Sequence, residues 1–196
     1  MSQTLETIDK QNVLNTYARN YVNFKKGTNA TLFDDDNKDY IDFTSGIGVV
    51  SVGHGNKRVA DAIYDQVSNI THISNLYLIE PQALLAKKIN ELSGYDMAVF
   101  FANSGAEANE GAIKIARKYG EVKFDSKKYK VITLAHSFHG RTITTVKATG
   151  QKKMHPTHFS PYPDGFSYDQ NIEDIYNSID NETVAVMIEL VHGEGG

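Results

Sequence analysis

From Asn56 onward, the chain alternates between short apolar stretches and longer amphipathic stretches. The apolar stretches predict strands, which we place at residues 97–102, 130–135, 143–146 and 184–190. The amphipathic stretches predict helices, which we place after Asn56, from Pro81 and at residues 105–119 and 172–179. Strands that alternate with helices form a mostly parallel sheet with helices on both faces. The sequence therefore predicts an α/β fold with a mostly parallel central sheet.

Both ends of the chain depart from this alternation. Residues 5–18 predict a modest helix, and residues 31–34 and 39–43 predict a β-hairpin around a polar turn. At the other end, only VHGEGG follows the strand predicted at residues 184–190. Because a further parallel strand needs a crossover connection, we expect the chain to be truncated, the first part of a longer fold.

Composition excludes several classes of protein. The chain has 20 Lys and Arg against 24 Asp and Glu, so its formal charge of -4 provides no general attraction to nucleic acid or to anionic membranes. It contains no cysteine, which excludes disulfides and thiolate chemistry. Neither a signal peptide nor an apolar stretch of the roughly 20 residues that a membrane helix needs is visible. We expect a cytoplasmic protein that binds neither nucleic acid nor membrane.

A possible anion site lies where the strand at residues 97–102 meets the following helix. Ser104 and Glu107 have the spacing of a capping box, and Gly120 is suited to end the helix. A reciprocal box would satisfy the amides of Ser104 and Glu107 and leave those of Gly105 and Ala106 free. Free amides at a helix N-terminus bind phosphate well, although the same spacing also fits an ordinary capped helix. Neither a GK(S/T) loop nor a GxGxxG motif is present.

A second possible site, HSFHGRT, follows the strand at residues 130–135. Ligands of α/β proteins gather at the carboxyl ends of the strands. Phe138 could lie against a heteroaromatic ring and Arg141 could hold a carboxylate, but a core Phe beside a surface Arg fits equally well. Two HxxH pairs, at residues 136–139 and 155–158, leave a metal hydrolase as an alternative, although neither has an obvious third ligand.

Five motifs in order resemble the class-III pyridoxal-phosphate aminotransferases, in particular those members that act on N2-acetylornithine. They are DYIDFTSGI from Asp39, GH at Gly53, NSGAEANE from Asn103, SFHGRT from Ser137 and ELVHGEGG from Glu189. The resemblance extends from about Tyr17 to Gly196 and implies the type I fold of pyridoxal-phosphate enzymes. It further implies that residues 1–50 belong to a smaller domain and residues 51–196 to an incomplete large cofactor-binding domain.

The resemblance implies a role in binding the cofactor for five residues. Gly105 and Ala106, with Ser104 as the cap, would form the cradle for the phosphate of pyridoxal 5'-phosphate. Phe138 would stack on the pyridine ring. Glu189 would support the groups that hold the ring nitrogen.

Four other residues are implied to contact the substrate. Arg141 would anchor the α-carboxylate, and Tyr17 would donate a hydrogen bond nearby. Glu194 would pair with a later arginine and release it when glutamate or 2-oxoglutarate binds. Ile47 stands where enzymes for free ornithine usually carry Tyr, which favours the acetylated substrate.

The resemblance thus implies a homodimeric transaminase that moves the δ-amino group of N2-acetylornithine to 2-oxoglutarate in arginine biosynthesis. The Schiff-base lysine is expected beyond Gly196, so no catalytic residue is assigned in this chain and the 196 residues alone are expected to be inactive. Two alternatives remain open. One is another class-III aminotransferase, for succinylornithine, ornithine or 4-aminobutyrate, and the other is a non-catalytic cofactor-binding module.

Overall fold

A computed structural model describes residues 4–124 and 127–193. The chain forms two compact units, Met1–Ala83 and Leu84–Gly196. The division into residues 1–50 and 51–196 inferred from the family remains a prediction. Within the described residues, no helix has the length and apolar character needed to cross a membrane.

The first unit contains an antiparallel sheet in the order β1-β2-β3. Its elements are α1 (Leu5–Asn12), β1 (Phe24–Thr28), β2 (Thr31–Asp34), β3 (Asp39–Ile41), a left-handed turn at Ser45–Gly48, and α2 (Lys57–Asn69). The predicted hairpin is confirmed as β2 and β3, with Leu32 opposite Tyr40. The predicted cap of α2 is also confirmed, because Asn56 Oδ1 accepts hydrogen bonds from the amides of Arg58 and Val59 at 3.1 and 3.2 Å.

The second unit contains a parallel sheet in the order β5-β4-β6. Its elements are α4 (Gly105–Phe124), β4 (Lys130–Leu134), α5 (Ile143–Ala148), β5 (Phe166–Asp169), α6 (Ile172–Ser178) and β6 (Thr183–Met187). Helix α3 (Glu80–Ser93) contains the boundary between the two units. The predicted parallel sheet is therefore confirmed in this unit.

The core of the second unit lies around the central strand. Residues Val131 to Leu134 of β4 are all buried, and Ile132 and Leu134 pack with Ile175 of α6. Thr133 Oγ1 donates to the carbonyl of Ala148 at 2.8 Å, which satisfies a fully buried hydroxyl and attaches α5 to the strand. This packing fixes the carboxyl end of β4, from which the loop with Phe138 leaves the sheet.

Several local predictions are wrong, for identifiable reasons. Residues 97–102 form no strand, because no neighbouring strand among the described residues pairs with them. Residues 143–146 belong to a helix rather than a strand, because Thr142 and Thr145 form a capping box that starts α5. Helix α1 ends at Asn12 instead of residue 18, since Val13 has an extended backbone.

The glycine expected to end α4 lies inside it. The helix continues to Phe124, and Gly120 is buried where a Cβ atom would lie 2.0 Å from the carbonyl oxygen of Lys128. Gly120 thus permits close packing rather than a helix end. Strands β1 and β5 were not predicted, because neither has a clear alternation of apolar and polar residues.

Candidate active site

The N-terminus of α4 presents free backbone amides. Ser104 Oγ accepts a hydrogen bond from the amide of Glu107 at 3.2 Å, as predicted. The carboxylate of Glu107, however, accepts from the amide of Asn103 at 2.7 Å rather than from that of Ser104. Across residues 4–124 and 127–193, no acceptor reaches the amides of Ser104, Gly105 or Ala106. The predicted pair of free amides is therefore extended to three.

The space in front of these amides is open. Apart from its chain neighbours and its own helix backbone, a Cβ atom on Gly105 would meet no atom within 4 Å, so a ligand can approach the backbone closely. The helix has 20 residues, and its dipole places partial positive charge at this end. The N-terminus of α4 thus has the donors, the charge and the space that a phosphate group needs.

The loop after β4 packs directly against this helix terminus. At Gly140, which has φ +136°, a Cβ atom would lie 2.7 Å from Cβ of Ala106. Asn109 Nδ2 donates to the carbonyl of His139 at 2.7 Å, and Thr142 Oγ1 donates to Glu110 Oε1 at 2.5 Å. The structure therefore brings together the two segments that the sequence analysis singled out separately.

Phe138 and Arg141 lie side by side on this loop. The guanidinium carbon of Arg141 lies 5.3 Å from the centroid of the Phe138 ring, within the range of a cation–π interaction. Arg141 also donates from Nη1 to the sulfur of Met154 at 3.3 Å. Arg141 as a whole is an exposed residue, and its other guanidinium donors are available for a carboxylate.

Glu189, which follows β6, holds the same loop. Its Oε2 atom accepts a hydrogen bond from the amide of Phe138 at 2.9 Å, and its Oε1 atom is 3.5 Å from the amide of Gly193. Its support of the groups that hold the ring nitrogen stays a prediction. What the structure shows is a carboxylate that fixes the backbone of the residue proposed to stack on the cofactor.

His139 is a buried residue whose position was not anticipated. It is 4% exposed, and its Nε2 atom has no hydrogen-bond partner among the described residues. Burial lowers the pKa of His139, while the negative charge of Glu189 opposes this shift. The HxxH pairs do not converge on a metal site: in the described part of the chain, no group of three or more His, Asp or Glu side chains could hold a metal ion.

The remaining predicted residues lie elsewhere. Tyr17 is 68% exposed in the irregular segment after α1, and Ile47 is 93% exposed in the left-handed turn. Both belong to the first unit, whereas Ser104, Gly105, Ala106, Phe138, Arg141 and Glu189 belong to the second. Glu194 lies outside the described residues.

Sequence reasoning missed the residues that join the helix to the loop. Gly140 and Thr142 are both part of the SFHGRT motif, so their presence was visible although their contacts were not. No sequence signal indicates that Asn109 reaches a carbonyl 30 positions away. Together the helix terminus and the loop define an α/β protein able to hold an anion beside an aromatic ring, at the carboxyl end of a parallel strand.

Comparison with known proteins agrees with this class. Residues 14–196 match the family Aminotransferase class-III. The chain is 64% identical over 192 residues to the acetylornithine aminotransferase of Wolinella succinogenes, covering 97% of this chain and 49% of that enzyme. It is 45% identical over 192 residues to that of Caldanaerobacter subterraneus subsp. tengcongensis, covering 97% and 48%.

A solved structure also shares the fold. The ornithine aminotransferase from Toxoplasma gondii, which has partial occupancy of PLP at its active site, matches with a TM-score of 0.89 and 30% identity. The match covers 98% of this chain and 47% of that chain. The predicted type I fold is thereby confirmed. The chain belongs to the class-III aminotransferases, a pyridoxal-phosphate-dependent family, and spans about half the length of the curated relatives it matches.

Proposed function

We propose that the complete gene product transfers the δ-amino group of N2-acetylornithine to 2-oxoglutarate with pyridoxal phosphate, as a step of arginine biosynthesis. The observation that carries this proposal is the packing of Gly140 against Ala106, which places free helix amides beside the loop of Phe138 and Arg141. The 64% identity to an acetylornithine aminotransferase supports the choice of substrate.

The residues present fit the cofactor. The amides of Gly105 and Ala106 would hold the phosphate, with Ser104 as the cap of the helix. Phe138 would lie against the pyridine ring, and Glu189 fixes the backbone of Phe138 through its amide. Pyridoxal phosphate supplies an electron sink for the carbon that gains or loses the amino group. The protein's own contribution is to orient the two reactants.

Arg141 would bind the α-carboxylate of the amino donor. Its contacts with Phe138 and Met154 hold the guanidinium in place while leaving it exposed. A carboxylate held by two parallel hydrogen bonds has a defined orientation, so the far end of the donor, with its δ-amine, is directed away from Arg141. The family resemblance further implies that Tyr17 and Ile47 would contact the donor, and that Glu194 would govern the exchange of donor for 2-oxoglutarate.

We further propose a cytoplasmic homodimer. Helix α2 supports the dimer because it carries an apolar stripe that is not buried within the first unit: Val59, Ile63 and Val67 are 44%, 60% and 54% exposed. Apolar patches of this kind are typical of interaction surfaces. The proposed place in amino-acid biosynthesis supports the cytoplasm.

A donor panel tests the function. The complete gene product, loaded with pyridoxal phosphate, is assayed with N2-acetylornithine, succinylornithine, ornithine and 4-aminobutyrate, with 2-oxoglutarate as acceptor. We expect the highest kcat/KM with N2-acetylornithine. A preference for another donor would mean that the proposed amino donor is wrong. Binding of the cofactor without any turnover would favour the non-catalytic module. Light scattering of the same sample checks the dimer.

A further inference from the structure

Four consecutive residues of the first unit have a left-handed backbone. The φ angles of Ser45, Gly46, Ile47 and Gly48 are +47°, +61°, +63° and +77°. The turn is closed by a hydrogen bond from the amide of Gly48 to the carbonyl of Thr44 at 3.0 Å. Left-handed backbone is unfavourable for L-residues, and most of all for a β-branched one such as Ile47. Such a segment persists only where the surrounding structure holds it.

Asp42 holds the entrance to this turn. Its Oδ1 atom accepts from the amide and hydroxyl of Thr44 at 3.0 and 2.8 Å and from the amide of Ser45 at 2.9 Å. Its Oδ2 atom lies 2.7 Å from Nε2 of His54, and its side chain is 7% exposed. The hydrogen bond with His54, followed by that with Thr44, lowers the pKa of Asp42 to about 2. The carboxylate is therefore charged at neutral pH.

His54 connects Asp42 to the β1–β2 hairpin. Its backbone exchanges two hydrogen bonds with Asn29, at 2.8 and 2.9 Å. Its side chain covers Gly27, where a Cβ atom would lie 2.6 Å from Cβ of His54. The imidazole thus has a fixed position beside a hydrogen-bonded sheet. Because Asp42 binds both the imidazole and the turn, it holds the turn in place relative to the sheet.

We propose that Asp42 and His54 are positioning residues that hold Ser45–Gly48 left-handed and so present Ile47 to the amino donor. This inference rests on the proposed function, in which Ile47 contacts the donor. In this proposal, Asp42 and His54 fix the backbone conformation of Ile47 although neither of them touches the substrate. Without the pair, the turn relaxes and Ile47 loses its fixed orientation.

The first arm of the test does not depend on activity. Hydrogen–deuterium exchange is measured on the peptide covering residues 44–52 in the complete gene product and in Asp42→Ala. Loss of the carboxylate should speed exchange of the turn amides at least about tenfold, the scale expected when even one hydrogen bond to a charged group is lost. Asp42→Asn, which keeps an acceptor for Thr44 and Ser45, should restore most of the protection.

Asp34→Ala is the matched control. Asp34 also accepts from two backbone amides, those of Asp36 and Lys38 at 3.0 and 2.9 Å, and from the hydroxyl of Tyr40 at 2.9 Å. These contacts lie within the hairpin of β2 and β3, so exchange at residues 44–52 should stay as in the parent protein. Equal acceleration by Asp34→Ala and Asp42→Ala would overturn the proposal.

The second arm measures donor specificity. We expect Asp42→Ala to lower the ratio of kcat/KM for N2-acetylornithine over ornithine about tenfold, the lower end of the range that one pocket contact provides. The ratio should stay unchanged in Asp34→Ala. Faster exchange with an unaltered ratio would refute the role in specificity. If the parent protein transaminates none of these donors, the proposed function fails, while the exchange arm still decides whether the pair holds the turn.

Discussion

Gly140→Ala should move the loop after β4 away from the N-terminus of α4, the two segments that form the proposed cofactor site. The new Cβ atom would lie 2.6 Å from Oγ1 of Thr145, 2.7 Å from Cβ of Ala106 and 3.0 Å from Cα of Ala106. None of these neighbours is the far end of a flexible side chain, so the loop must move. Overpacking of this kind costs about 1–3 kcal/mol, and the positive φ of Gly140 adds about 1–3 kcal/mol for a residue with a side chain.

We therefore expect Gly140→Ala to lower the free energy of unfolding by about 2–6 kcal/mol, the sum of these two costs. Denaturant unfolding followed by circular dichroism measures this quantity. The displaced loop should also weaken the binding of pyridoxal phosphate and raise its Kd at least about tenfold, which corresponds to about 1.4 kcal/mol of binding free energy. Titration of the apoprotein with the cofactor, followed by absorbance, gives the second value.

Gly105→Ala is the matched control, because it makes the same chemical change where a Cβ atom meets no other atom within 4 Å. Its stability should lie within about 1 kcal/mol of the parent protein, as for an unstrained change from Gly to Ala. If both variants unfold like the parent protein, the contact between Gly140 and Ala106 is not what joins the loop to the helix.

Other variants test single groups of the site and of the first unit. Arg141→Ala should lower kcat/KM for carboxylate-bearing donors, with a loss of transition-state stabilisation of about 2–4 kcal/mol, and Arg141→Lys should be intermediate. Steady-state kinetics equal to those of the parent protein would remove Arg141 from the site. Glu189→Ala leaves the amide of Phe138 without its acceptor and should cost about 1–3 kcal/mol in denaturant unfolding, whereas Glu189→Gln, which keeps an acceptor, should stay close to the parent protein. Because the bond to His54 places the pKa of Asp42 at about 2, below its ordinary 3.8, the stability it contributes is complete above pH 3.8 and is lost as pH falls through about 2. Unfolding measured between pH 5 and pH 2 should show this loss in the parent protein and not in Asp42→Asn; parallel curves would contradict the assignment.

Local signals predicted much of the fold. Asn56 caps its helix as its side chain and position require, and the hairpin of β2 and β3 forms around the polar turn expected there. The predicted strand at residues 97–102 fails for a reason that no local signal reports. A strand exists only where a neighbour offers hydrogen bonds, and no described strand lies beside these residues.

In the candidate site, too, local signals were predictable and the contacts between groups were not. Ser104 was predicted as the cap of α4, and it is. Glu107, expected to return to Ser104, binds the amide of Asn103 instead. The chemical type of each group was therefore predictable from its motif, whereas its partner was not, because residue spacing does not encode the exact path of the backbone.

The amino-acid sequence by itself determined the class of fold, the capped start of α4, the identity of the aromatic and cationic groups after β4, and the family. These depend on periodicity, capping and motif chemistry, all of which act over a few neighbouring residues. Only the tertiary structure decided that Gly140 contacts Ala106, that Glu189 holds Phe138, and that Asp42 and His54 hold the left-handed turn. These contacts join residues far apart in the chain, and close packing determines which of the many possible pairs form.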